Sequence, residues 1–245
     1  MSQTDAPITT PPLAQNIQHQ PHLPLVLLVV SLSTGVIDAI CLLHLKVFTA
    51  YMTGTLILIG IHLGESKPLD LPPLIALASF GCGAALGGRL TRYGLGTGAI
   101  PAAFRIRKLA HALTLITVLV LGAALLAGFA DVTVPAVHYS AIVLLGLAMG
   151  IQIAGSRQAA VLDMTIPAAT MILHGLFFDS VIAGGKGDRQ SRRFAVIVVL
   201  VIGASIGTAL SLWHVWAGLL LGALLLATAT TATYALARQS SADMT

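Results

Sequence analysis

Eight apolar runs separated by short polar breaks organise the chain, at about 23–43, 52–63, 72–88, 109–130, 137–156, 166–184, 194–210 and 213–236. A helix crosses a bilayer with about 20 mostly apolar residues, about 17 at least, and most of these runs qualify. The run after Gly54 is too short. Two breaks differ from ordinary turns because each opens a new apolar run. They are Thr49-Ala50-Tyr51-Met52-Thr53-Gly54-Thr55 and Thr165-Ile166-Pro167-Ala168-Ala169-Thr170, the second leading on through His174-Gly175. At membrane depth, free backbone polar groups are costly unless protein or a water-filled cavity satisfies them. A doubled break of this kind points to a central site in a transporter-like fold.

Composition places the chain in the membrane. Hydrophobic residues make up 56% and charged residues 9%, with mean hydropathy +0.92, against about 25% charged in soluble domains. Residues 1–22, rich in Gln, Thr and Pro, read as a disordered cytoplasmic tail. Residues 23–237 form the membrane domain and 238–245 a short C-terminal tail. No basic segment precedes an apolar signal core, so the first run is expected to act as an uncleaved insertion signal. Cys41 and Cys82 both read as small buried hydrophobes.

The runs fall into two halves, about 23–130 and 137–236. Gly35 matches Gly150, Thr53-Gly54 matches His174-Gly175, and Gly64 matches Gly185. Gly83-Ala84-Ala85-Leu86-Gly87 matches Gly203-Ala204-Ser205-Ile206-Gly207. The last pair are small-xxx-small faces, which let helices approach closely in lipid.

Charge then selects a topology. Of thirteen basic residues, nine lie in two groups: Arg89, Arg92, Arg105, Arg107 and Lys108, then Lys186, Arg189, Arg192 and Arg193. If all eight runs crossed, these groups would face opposite sides, against the positive-inside rule. If the second and sixth runs enter and leave by one face, both groups are cytoplasmic. The expected fold is therefore all-α: six spanning helices plus two short broken or re-entrant ones, in two inverted repeats. A seven-span chain, with the longer sixth run crossing, is the alternative. Anionic lipid suits the same basic groups; nucleic acid is not expected as a partner.

Candidate chemistry is sparse. Asp38 lies inside the first run, one helical turn from Thr34 with Ser31 on the same face. An intramembrane carboxylate is a functional candidate; the competing reading is an anchor for a neighbouring broken helix. Gln152, in the matching fifth run, is placed to hydrogen-bond across the two halves. His174 and Asp179 suggest a proton relay, but their spacing does not share a helix face, so His174 reads as a satisfied interior histidine. Helices starting at Thr53-Gly54 and Thr170 would aim positive dipole ends inward, suiting anions or polar solutes. No metal-ligand spacing, phosphate-binding Gly-Lys-Ser/Thr loop or nucleophile elbow occurs. No enzyme, metal or cofactor is expected, and a homo-oligomer is compatible with the pattern.

Gly35-Val36-Ile37-Asp38-Ala39, Phe48-Thr49-Ala50-Tyr51-Met52-Thr53-Gly54-Thr55 and Ala148-Met149-Gly150-Ile151-Gln152 make the chain resemble the YoaK-like family of bacterial multi-pass membrane proteins, a domain of unknown function. The resemblance runs from about residue 24 to 237. It implies the same architecture and names no substrate. Two departures stand out: the family has Asn where this chain has Thr55, and a second Thr-Gly where it has His174-Gly175. The expected function is a secondary transporter or channel for a small polar or anionic solute in the cytoplasmic (inner) membrane. Asp38, Thr53, Gly54, Gln152, Thr170, His174 and Gly175 would line its site. The alternative is a non-transporting scaffold or stress-related membrane protein.

Overall fold

The computed structural model describes residues 22–65, 68, 70–93, 102–159, 169–187 and 190–242. Among them are eight α-helices: α1 Leu23–Ile40, α2 Met52–Gly64, α3 Leu71–Arg92, α4 Ala102–Phe129, α5 Pro135–Ala159, α6 Ala169–Phe178, α7 Gln190–Ser211 and α8 Val215–Ala242. Six are long and apolar enough to cross a membrane; α2 and α6 are not. The chain is a multi-pass membrane protein. Prolines open α1 and α3, and Pro135 begins α5; proline fits there because the first turn has no intrahelical partner for its missing N–H. Buried hydroxyls within the helices bond back to their own carbonyls, as Ser31 does to Leu27 and Thr34 to Val30, so these polar groups need no lipid-side partner.

Helix ends establish which segments cross. His44 beyond α1, the α4–α5 turn at Ala130 to Thr133, and the α7–α8 turn at Trp213 and His214 line one cleft. At the opposite end, α3 and α5 finish together, with Arg92 and Arg157 in a second cleft. There Lys108 of α4 also lies 5.7 Å over the Tyr93 ring that follows α3. So α1 finishes at the end from which α3 starts, and α2 begins and ends there without crossing. In the same way α5 finishes where α7 starts, and α6 returns. Six helices cross, and the seven-span alternative falls. The sixth run fails to cross because α6 stops at Phe178; Ser180 caps a 3₁₀ turn at Val181–Ala183, and Gly184 takes φ 81°.

Across the bundle the helices neighbour one another in the order α2, α3, α5, α4, α8, α1, α7, α6. Each half thus lends a helix to the other: α1 packs on α7, and α5 on α3. Glycines set these contacts. A Cβ on Gly83 would overlap the carbonyl of Leu147, and one on Gly203 that of Leu32. Gly150 lies equally close to Phe80 and Ala84 of α3, and Gly35 to Leu200 and Ala204 of α7. Lipid tails are as apolar as leucine, so association rests on close packing of this kind rather than on the hydrophobic effect. The central α4–α8 pair adds hydroxyl contacts, Thr117 to Thr230 at 3.2 Å and Thr114 to Tyr234 at 3.3 Å. Of the two cysteines, Cys41 is buried as expected, whereas Cys82 is exposed on α3, on a face that the bundle leaves uncovered.

Candidate functional site

α1 does not end at Ile40 but widens into a π-type turn, Cys41–Leu45. Lys46 closes it in the left-handed conformation (φ 58°), donating its N–H to Cys41 O. That reversal turns the chain back beside α1. Residues Thr49, Ala50 and Tyr51 then approach α2 in non-helical conformation, and α2 has no side-chain cap of its own. The exposed N–H groups are taken up by α1 instead. Asp38 Oδ1 accepts from Thr49 N at 2.8 Å, Thr49 Oγ1 at 3.0 Å and Ala50 N at 2.9 Å; Oδ2 accepts from Tyr51 N at 3.3 Å. The carboxylate is 5% exposed. It therefore anchors the corner that precedes the broken helix, through the N–H groups of Thr49, Ala50 and Tyr51.

The Thr-Gly-Thr sequence has a local meaning. Thr55 Oγ1 accepts from Phe48 N at 3.1 Å and donates to Phe48 O at 2.7 Å, pinning the corner to the first turn of α2. Gly54 faces the Phe48 ring, whose nearest atom would lie 2.5 Å from a Cβ; any larger residue displaces the ring. Thr53 is exposed.

The second half is built differently. On α5, the turn matching Asp38 carries Ile153, and no carboxylate anchors the second corner from that helix. Arg193 of α7 takes over. It is 8% exposed, and its guanidinium donates to Gly175 O and to Asp179 Oδ2, the latter at 2.6 Å. Thr170 and His174 are exposed; His174 stacks on Phe178 at 5.2 Å. It is not the interior histidine expected, because α6 contacts the bundle only along its Ile172 and Gly175 side. Residues 165–168 of the second break lie outside the described residues.

Where the halves meet, Gln152 (2% exposed) donates from Nε2 to Thr34 Oγ1 at 2.7 Å. This is the expected bond across the two halves. Its Oε1 is buried with no partner among the described residues. The structure thus gathers Asp38, Thr34 and Gln152 on or against one face of α1. It leaves Gly54 at the Phe48 ring and Gly175 at Arg193, and it turns Thr53, Thr170 and His174 outward.

At the end away from Arg92 and Arg157 lies a cleft of about 480 Å³. His44, Asp131, His138, Trp213, His214 and Trp216 are among its walls. His44 Nε2 is buried there with no partner among the described residues, and His214 stacks on Trp216 at 6.0 Å. Asp131 accepts from Thr133 N at 2.8 Å. That backbone bond stabilises the charged form and holds the carboxyl below the usual carboxylate range. No group of His, Cys, Asp or Glu among the described residues is placed to hold a metal ion.

The model of the family described as "Protein of unknown function (DUF1275)" matches residues 26–232. The chain belongs to the DUF1275 family. No curated protein and no solved structure matches it significantly. In this DUF1275 chain the match takes in Asp38, both short helices and Gln152, and leaves out only the start of α1 and the last turns of α8.

Sequence reasoning passed over Thr49, Thr55 and Arg193. For the first two a signal existed: hydroxyl residues flank the break on both sides, and the inner Thr53 drew attention from them. For Arg193 none did, since a basic residue before an apolar run reads as an interface marker.

Proposed function

We propose that this chain is a secondary transporter or channel for a small polar or anionic solute, built from two inverted repeats, with its basic end in the cytoplasm. The observation that carries this reading is the buried Thr34–Gln152 bond with the Gln152 Oε1 left over. Buried polar atoms are nearly always paired, so an unpaired amide oxygen facing the bundle interior is a candidate solute contact. Gln152 and Thr34 are the solute-contacting pair in this reading. Asp38 is a positioning residue that fixes the corner beside them. The histidine-lined cleft is the entrance in this reading, because the π-type turn that carries His44 continues directly from the end of α1 that carries Asp38.

Two further observations support it. The glycine contacts of α1 with α7 repeat in those of α5 with α3, and three crossings per half reverse the orientation of the second half, as in inverted-repeat transporters. Arg89, Arg92, Arg157 and Arg238 sit near helix ends on one side of the bundle, which the positive-inside rule assigns to the cytoplasm of an inner membrane. The activity is non-enzymatic and requires no cofactor.

The test is uptake into proteoliposomes over a panel of small polar and anionic solutes. At least one solute is expected to enter faster than into protein-free vesicles. Gln152→Ala and Thr34→Val are expected to cut that flux about tenfold, the equivalent of one hydrogen bond of about 1.4 kcal/mol, with insertion unchanged. Wild-type protein that moves nothing, or a Gln152→Ala variant with full flux, sinks the transport reading and leaves the scaffold.

A further inference from the structure

We infer that the cleft between the C-terminal turns of α3 and α5 binds a phosphate group, as a monoester or diester, between the guanidinium groups of Arg92 and Arg157. The cleft holds about 350 Å³. Arg92 stands in the last turn of α3, and Arg157 in the last turn of α5. Neither has a hydrogen-bond or ion-pair partner among the described residues, whereas Arg193 is tied to Asp179 and Arg107 lies over Phe104. Both line this one cavity, and an anion held between two guanidiniums offsets the repulsion between them. Arginine's planar fork matches phosphate oxygens bidentately.

The floor of the cleft is as informative as its rim. Ala84, Gly88 and Ala154 form it, and a Cβ built on Gly88 meets nothing within 4 Å. The space beside Gly88 is thus open, unlike that at Gly83 and Gly87 deeper in the same helix pair. Ala84, Gly88, Ile153 and Ala154 make this part of the cleft apolar, beside Thr91 and the basic rim. That is the shape for a lipid phosphodiester, with its headgroup at the rim and an acyl chain against the apolar part. This inference is independent of the transport reading and stands or falls without it.

The purified protein in neutral detergent is titrated with phosphatidylglycerol, phosphatidylcholine or glycerol phosphate, and binding is read by native mass spectrometry and by the shift in unfolding midpoint. Phosphatidylglycerol is expected to bind and raise the midpoint, and phosphatidylcholine to bind at least tenfold more weakly. The double variant Arg92→Gln/Arg157→Gln is expected to lose at least tenfold in affinity. Arg92→Lys/Arg157→Lys should fall between, keeping charge but not the fork. Arg238→Gln removes a basic residue elsewhere on the same end and should change affinity less than twofold. Glycerol phosphate binding as tightly as the lipid supports the phosphate site and assigns it to a soluble ligand. Equal loss in Arg238→Gln, or no binding of either phosphate, overturns the proposal.

Discussion

Asp38 offers the sharpest test of how the first corner is held. Its carboxylate satisfies three backbone N–H groups and one hydroxyl, all within Thr49 to Tyr51. Asp38→Ala leaves all four without their acceptor in a site that is 5% exposed. At a lower bound of about 1 kcal/mol for each unsatisfied buried group, the cost is about 4 kcal/mol. Asp38→Asn is milder. The amide oxygen can keep the three bonds to Oδ1, and the amide nitrogen then opposes only the long 3.3 Å contact to Tyr51 N, costing about 1 kcal/mol. The two variants should therefore differ by about 3 kcal/mol in SDS-driven unfolding from mixed micelles, with Ala the weaker. A cysteine at Thr53 should also label faster in Asp38→Ala, as α2 detaches. If Ala and Asn unfold within about 0.5 kcal/mol of wild type and label alike, the carboxylate does not hold the corner.

Other outcomes follow from the same contacts. Gly83→Ala and Gly203→Ala force a methyl group into the carbonyls of Leu147 and Leu32 and should each cost about 1–3 kcal/mol. Gly60→Ala meets nothing within 4 Å and should be neutral or stabilise by up to about 1 kcal/mol; the same micelle titration compares all three. Arg193→Ala removes the partner of Asp179 and Gly175 O, so proteolysis between residues 179 and 187 should accelerate several-fold, and an unchanged cleavage rate would dissociate α6 from Arg193. In a cysteine-free background, single cysteines at Arg92 and Arg157 should react from one side of the membrane and those at Asp131 and His214 from the other. Reaction of Arg92 and Asp131 positions from the same side would overturn the six-span arrangement.

How much of this was legible in the sequence depends on the range of the physics involved. The number of apolar segments and the shortness of the second follow from apolar run length, and charge placement favoured six crossings, but whether the sixth run crosses was settled only by where α6 stops. Gly83, Gly87, Gly203 and Gly207 could be recognised as packing faces because small-residue spacing is itself the contact code. Gln152 could be expected to reach the other half, since a buried amide must find a partner. The site as a whole could not be read in this way.

The sequence by itself determined an all-helical membrane bundle of six or seven spans with two interruptions, because every backbone polar group in lipid must be satisfied within a helix or against protein. It left Asp38 open between solute ligand and anchor. Only the tertiary structure decided that, through the reversal at Lys46 that brings Thr49, Ala50 and Tyr51 within 2.8–3.3 Å of one carboxylate. The same holds for the inequality of the two corners: Asp38 holds the first from α1, and Arg193 holds the second from α7. Hydrogen bonds between residues distant along the chain depend on where backbones cross, and no local pattern encodes that.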